Sequence, residues 1–200
     1  MNLAELTEAV YDLTKRPDLV SHALLAIQKA TLRAHTFRGE FFYKDLFEFT
    51  IDFQSLSYLH QFEYKTLVPR WRAAKYLRKL DMSSTPAIAG KIFTLIHPEA
   101  VLDPYQKDRN DVYYIAGLIA QVRSSTEFRY ALAACYRYPD ITEAGFSSWI
   151  SEEHPFAIVY NAAAKIFNSV GKKDEFSMYQ SMDMDEILSM KNSNIVAEGS

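Results

Sequence analysis

The stretch that most restricts the fold runs from residue 136 to residue 170, YRYPDITEAGFSSWISEEHPFAIVYNAAAKIFNSV. It joins an apolar strand to a long helix. Tyr138-Pro139-Asp140 ends the strand, because proline has no N–H to give to a sheet ladder. Pro155 opens the helix, where that N–H would go unused. From there Ile158, Val159, Ala162, Ala163, Ile166, Phe167 and Val170 recur at helical spacing. Gly171 follows, where a left-handed cap residue is expected. A β-rich body is thus handed over to a helix that must bury one face.

The chain before this point reads in order. Residues 3–13 place Leu3, Leu6, Val10 and Leu13 on one side of a helix. Pro17 and Asp18 are expected to open a second helix, with the acid in its first turn, running to about residue 34. Its expected stripe is Val20, Leu24, Ile27 and Thr31. After a connector containing Gly39 the period changes to two. Phe47, Phe49, Ile51 and Phe53 alternate with Glu48, Thr50 and Asp52, the pattern of a half-buried strand. A second strand is expected over residues 58–64.

Residues 69–80 fit two patterns. Trp71, Ala74, Lys75 and Arg78 would share a helix face. Alternatively the segment alternates as a strand, which Pro69 and the neighbouring strands favour. Residues 82–90 read as a loop, 92–96 as a short apolar run, 98–104 as one helical turn and 105–111 as a charged turn. Residues 112–116 and 118–122 form a hairpin about Gly117, and 128–136 are the last strand. Beyond Gly171, residues 172–190 form a helix rich in methionine, read as adaptable packing.

This order predicts an α+β protein. N- and C-terminal helices form a bundle, with an inserted antiparallel β domain, a sandwich or small barrel. The expected divisions are 1–44, 45–140, 141–190 and a flexible C-terminal arm, 191–200.

Composition narrows the chemistry. A net charge of -3 supplies no general attraction for nucleic acid or membrane. No apolar run reaches the ~18–20 residues that span a bilayer, and the start lacks a signal-peptide pattern. The single cysteine, Cys135, excludes an intrachain disulfide and a cysteine-built zinc site. Set in ALAACY, it reads as a small buried hydrophobe. There is no G-x-G-x-x-G and no Walker motif.

The remaining candidates for chemistry each have a plainer reading. His22, His35, His60, His97 and His154 show no ligand spacing. Asp103, Asp108, Asn110 and Asp111 lack the glycine and glutamate that a calcium loop needs in register. Glu152 and Glu153 could be pictured as glycosidase carboxylates, but as neighbours before a helix they suit its dipole. Arg70, Arg72, Lys75, Arg78 and Lys79, interleaved with Trp71 and Tyr76, could meet single-stranded nucleic acid. The plainer alternative is a charged outer strand face. No cofactor, metal or catalytic residue is expected.

The succession of LTEAVYDLTKRPDL, IHPEAVLDPY, VYYIAGLIAQVRSS and the closing 136–172 stretch resembles the head-to-tail adaptor proteins of short-tailed bacteriophages. This is the head-completion or tubular-tail A class. The resemblance spans nearly the whole chain in order. It implies a structural virion subunit, not an enzyme, made in the host cytoplasm and placed in the neck. Self-association would give a ring, typically twelvefold, between portal protein and tail nozzle or tail fibres. DNA would pass through the channel without specific binding. The helices would form the bundle, and the segment after Asn192 would be an arm reaching the portal. The β region is larger than in minimal members of the family. The helix stripes would then be shared between subunits, and Tyr and Arg suit such contacts. The expected subunit and partner contacts are Trp71, Arg72, Tyr76, Trp149, Phe156, Phe167, Ile195 and Val196. A virion-carried cell-wall hydrolase, or a nucleic-acid-binding module using the basic stretch, is the alternative.

Overall fold

The first helix, α1 (Leu3–Thr14), begins with a reciprocal cap. The Asn2 side chain accepts from the Glu5 N–H at 2.9 Å, and the Glu5 carboxylate accepts from the Asn2 N–H at 2.9 Å. The computed structural model describes residues 1–102 and 109–193. Ile195 and Val196, most of the charged turn and the distal part of the expected arm lie outside the described residues.

Pro17 and Asp18 precede the second helix and do not open it. Arg16 holds the Asp18 carboxylate with two bonds of 2.8 Å inside the linking turn. The helix α2 (Val20–His35) therefore starts without an acid in its first turn. Its inner face also differs from the expected stripe. Ala23, Ala26, Ile27, Ala30, Thr31 and Ala34 are buried, while Val20 is 53 % exposed. The alanines let α2 pack closely on α5 (Pro155–Ser169).

That fifth helix is the centre of its unit. Ala157, Ile158, Val159, Ala162, Ala163 and Ala164 are all buried, against α1, α2, α4 (Trp149–Glu153) and α6 (Lys173–Ser193). Its apolar face is broad and is enclosed on several sides, while Phe156, Asn168 and Ser169 stay exposed. The stripe expected to be shared between subunits is thus covered within the chain. The helix ends as its sequence requires. Gly171 has φ 78°, its N–H donates to the Asn168 carbonyl at 3.2 Å, and Lys172 N–H donates to Phe167 at 2.9 Å. Among the α6 side chains Ile187 and Met190 are fully buried, with Met184 packed against the same core. The helix continues through Ser193, into the segment expected to be an arm. No helix among the described residues is long and apolar enough to cross a membrane.

Leu46–Arg137 forms one compact unit, and the chain on either side of it forms the other. The protein is α+β. The strands are β1 (Leu46–Glu63), β2 (Trp71–Asp81), β3 (Ile88–Ile92), β4 (Thr94–Leu95), β5 (Val112–Ala116) and β6 (Ile119–Arg137), with the one-turn helix α3 (Tyr64–Leu67) between β1 and β2. They form one sheet curled into a half-barrel. Its spine is β6, 19 residues long. On one flank it pairs with β1 along its length; on the other it pairs with β2 near its end and β5 near its start. The pairs are antiparallel except the two-residue match of β4 to β5, which is parallel.

The two strands expected at residues 47–53 and 58–64 are one 18-residue strand. The ladder is interrupted between Asp52 and Leu59, where Gln54 has φ 65°. Both strands bulge there. The same number of residues, seven, separates Asp52 from Leu59 and Arg123 from Tyr130, so the register resumes unchanged. His60 repairs the gap. Its Nε2–H donates to the Phe128 carbonyl at 2.7 Å, and its ring stacks on Phe53 at 4.0 Å.

Of the segment 69–80, Pro69 and Arg70 form a turn and the rest is strand, as β2, with two bulges, between Trp71 and Ala73 and between Ala74 and Tyr76. Each bulge adds one residue. Trp71, Ala74 and Leu77 therefore pack with the sheet core although they are three apart. Ile51, Leu77, Phe93, Tyr113, Val122 and Phe128 make the centre of that core. The segment expected as a loop over 82–90 contains the start of β3, whose residues are all exposed.

Candidate interaction surfaces and a buried polar centre

The expected contact residues divide into committed and open ones. Phe167 is 5 % exposed and stacks on Tyr179 at 5.3 Å, so it belongs to the core and not to a contact surface. Trp149 is half-buried, its N–H donates to Asp45 Oδ1 at 2.9 Å, and its ring packs on Phe42 at 5.3 Å. It anchors its own unit. Trp71 is half-buried and stacked on Tyr64 at 5.2 Å. Phe156, 44 % exposed beside Tyr160, is open to a partner. Arg72 and Tyr76 are half-exposed on β2, with the Tyr76 hydroxyl donating to Glu48 and the Arg78 guanidinium 5.0 Å from its ring.

The basic stretch does not form one face. After the second bulge Leu77 and Lys79 turn to the core side, and Tyr76 and Arg78 to the other. Lys79 Nζ lies 5.9 Å from the Phe93 and Phe128 ring centres and 3.5 Å from Asp111. Asp111 itself ties four segments. Its carboxylate accepts from the Ser125 N–H at 3.0 Å and hydroxyl at 2.9 Å, and from Lys91 at 3.1 Å. Burial alone would raise this carboxyl. The Ser125 donors, Lys91 and Lys79 outweigh burial and hold it far below the usual carboxylate range.

Among the described residues, one arrangement has the outline of reaction chemistry, and it was not legible in the sequence. His35 lies between Asp45 and Ser148, with Nδ1 2.9 Å from Asp45 Oδ1 and Nε2 2.8 Å from Ser148 Oγ. A carboxylate can only accept, so Nδ1 carries the proton and Nε2 accepts from the serine hydroxyl. This is the order of a Ser-His-Asp relay. Yet Ser148 is 3 % exposed, His35 1 % and Asp45 8 %. Ser148 Oγ also caps α4, accepting from the Ser151 N–H. The triad joins the end of α2, the turn before β1 and the start of α4, which explains its use as a structural lock. The only hint in the sequence was S-S-W-I-S-E before a helix, a cap signature.

The other titratable candidates are separate from it. Glu152 and Glu153 are exposed on α4, and Glu153 pairs with Lys44. His97 is exposed at the head of a single 3-10 turn, and His154 links α4 to α5. Cys135 is fully buried, and burial pushes its thiol up to about 11. No group of three metal-ligating side chains occurs among the described residues. In the helical unit, the fully buried Asp183 accepts from Arg33 and, at 3.0 Å, from the Asn161 amide. Burial, with Arg33 and Lys29 nearby, pushes the Lys165 ammonium down to about 8.

Two features of the sheet unit remain open. A shallow cleft of about 440 Å³ is lined by Tyr58, Leu59, Asn110, Arg123, Ser124 and Ser125. Large apolar side chains are exposed on β1 and β3, with Leu56 at 66 % and Ile88 at 59 %. The chain matches no protein-family model and no curated protein.

Proposed function

We propose that this chain is a structural subunit of a phage head-to-tail adaptor ring, joining a portal to the tail nozzle or fibres around the DNA channel. The observation that carries this reading is the insertion of a sheet unit into a helical unit. The helical part would be the bundle of such an adaptor and the sheet its appended domain. Supporting it, exposed apolar side chains such as Leu56 on β1 and Ile88 on β3 lie on strand flanks. The divided basic stretch also favours a chain that does not grip phosphate, as a channel wall requires. A portal ring from the same genome, mixed with this chain, is expected to gain a second ring layer visible by cryo-microscopy. A portal that gains no density overturns the reading.

The His35–Asp45–Ser148 relay favours a second reading, a serine hydrolase. Attack would need Ser148 Oγ to leave its cap and meet a substrate through a surface that now covers it. A fluorophosphonate probe decides: labelling lost in Ser148→Ala supports a hydrolase, and no labelling of the folded chain removes it.

A further inference from the structure

Among the described residues the sheet ends in β1, β3 and the two-residue β4, and the β1 and β3 flanks carry opposite charge. No described strand pairs with the outer edge of β1, so that edge has no strand partner on either side of the bulge, where the Gln54 and Leu59 N–H groups turn to the Asp52 and Ser57 side chains. On the far side of β6 the open flank is β3, and beyond it the Trp71–Tyr76 end of β2 that β3 does not reach. Such long free edges are templates for pairing.

Their chemistry is complementary. Between Leu46 and Glu63 the chain has Glu48, Asp52 and Glu63 and no lysine or arginine. Within β2 and β3 lie Arg72, Lys75, Arg78, Lys79 and Lys91, against Asp81 alone. Part of this charge is satisfied within the sheet unit: Asp52 by Arg129, Lys79 and Lys91 by Asp111, while Glu48 and Glu63 each accept from one hydroxyl, of Tyr76 and Thr66. Glu48, Glu63 and Lys75 are exposed. Both flanks also carry greasy side chains: Tyr58 at 54 % and Leu59 at 47 % on β1, Ile88 at 59 % and Ile92 at 47 % on β3.

We infer that the acidic β1 edge of one copy pairs with the basic β3–β2 edge of a second copy. The occupant is the chain itself because the two edges carry opposite charge and both offer apolar side chains, while either edge against its own kind brings like charges together. The contact is heterologous: each copy uses a different edge on its two sides, which generates a ring when the rotation closes. This rests on the adaptor reading and deepens it, assigning the sheet unit to contacts between neighbours around the ring.

The test is a charge swap. Glu48→Lys with Glu63→Lys makes both flanks basic; Arg72→Glu with Lys75→Glu and Arg78→Glu makes both acidic. Each variant is first shown to keep the wild-type circular dichroism and melting profile. Sedimentation of the full chain at low salt is expected to show association, weakened about tenfold or more in each variant alone and restored when the two are mixed. Salt should weaken the wild-type association. A chain that stays monomeric at its highest soluble concentration, or variants that associate like wild type, overturns the inference.

A second measurement separates the edge contact from the adaptor reading. Cysteines replacing Gln61 on β1 and Ala89 on β3, both exposed, are treated with a bismaleimide; buried Cys135 stays silent. A cross-linked ladder of copies supports edge pairing. A ring on the portal that yields no ladder overturns edge pairing and leaves the adaptor reading standing. A ladder from a chain that does not bind the portal does the reverse.

Discussion

Asp111 shows how much one side chain decides in the sheet unit. It sits at φ 57°, a backbone region that asparagine and aspartate tolerate better than other side chains. The carboxyl is held far below its ordinary range in the folded state, so its stabilisation is present above the unfolded value, about 3.9, and is lost as pH falls below it. Asp111→Asn keeps the backbone fit and removes the charge. It is expected to cost about 2 kcal/mol at neutral pH and to flatten the acid limb of the stability curve, measured by urea melts between pH 3 and 7. An unchanged acid limb would show that other carboxylates carry it. Asp52, lowered to about 2 chiefly by its hydrogen bond to Arg129, is too exposed to contribute comparably.

Lys165 in the helical unit differs in kind: here the charged form is the one the fold disfavours, although stability again rises with pH. Its ammonium is depressed to about 8, mainly by burial. The unfolded chain then binds more protons than the folded one between pH 8 and the unfolded value near 10.4. Stability should rise with pH across that window. Lys165→Met, which keeps the stem and removes the charge, is expected to abolish the rise and to stabilise the protein at pH 7, read from the melting temperature. These residues also mark the limit of sequence reading. Ser148 lies 113 residues after His35, and nothing in the spacing of His35, Asp45 and Ser148 announced that they meet.

At the level of elements, legibility followed the regularity of the pattern. The helix from Pro155 and its stop at Gly171 were readable because proline, apolar spacing and glycine agree. The inner face of α2 was not, because alanine carries little hydrophobic signal yet permits close packing. Filling that seam should therefore be costly. Ala162→Leu, at a fully buried position, is expected to lose about 1–3 kcal/mol by overpacking, while Ala144→Leu on the exposed turn should be close to neutral; thermal melts compare them. The strand β2 looked half helical since its two bulges convert a period of two into steps of three. The joined length of β1 was hidden by the residues that bulge out of the ladder. No pattern betrayed β3, an edge strand with both faces exposed.

At the level of the whole molecule, each unit has its own apolar core: one around Ile158, Leu6 and Ile27, the others around Leu77 and Tyr64. The chain leaves the helical unit after Asp45 and returns at Tyr138. Leu46 and Tyr136 are paired across the first rung of the ladder, so the two junctions are about 5 Å apart. Replacing residues 46–137 by a short Gly-Ser turn is expected to leave a cooperatively melting helical protein, seen by circular dichroism. A broad, non-cooperative melt would show that the helical core depends on the sheet. The spacing of apolar and polar residues made the α+β plan legible in the sequence, because each unit keeps one period throughout most of its length.

The matched bulges of β1 and β6 set a rule for how the gene can change. Losing one codon between those for Phe53 and Tyr58 would advance the far half of the strand by one place, turning Gln61 and Glu63 toward the interior and Phe62 and His60 toward water. Losing two would leave inside and outside as they are. Length variation in this stretch should accordingly be tolerated in pairs of codons and selected against singly, a parity written into the reading frame by the way two strands step out of line together and fall back in.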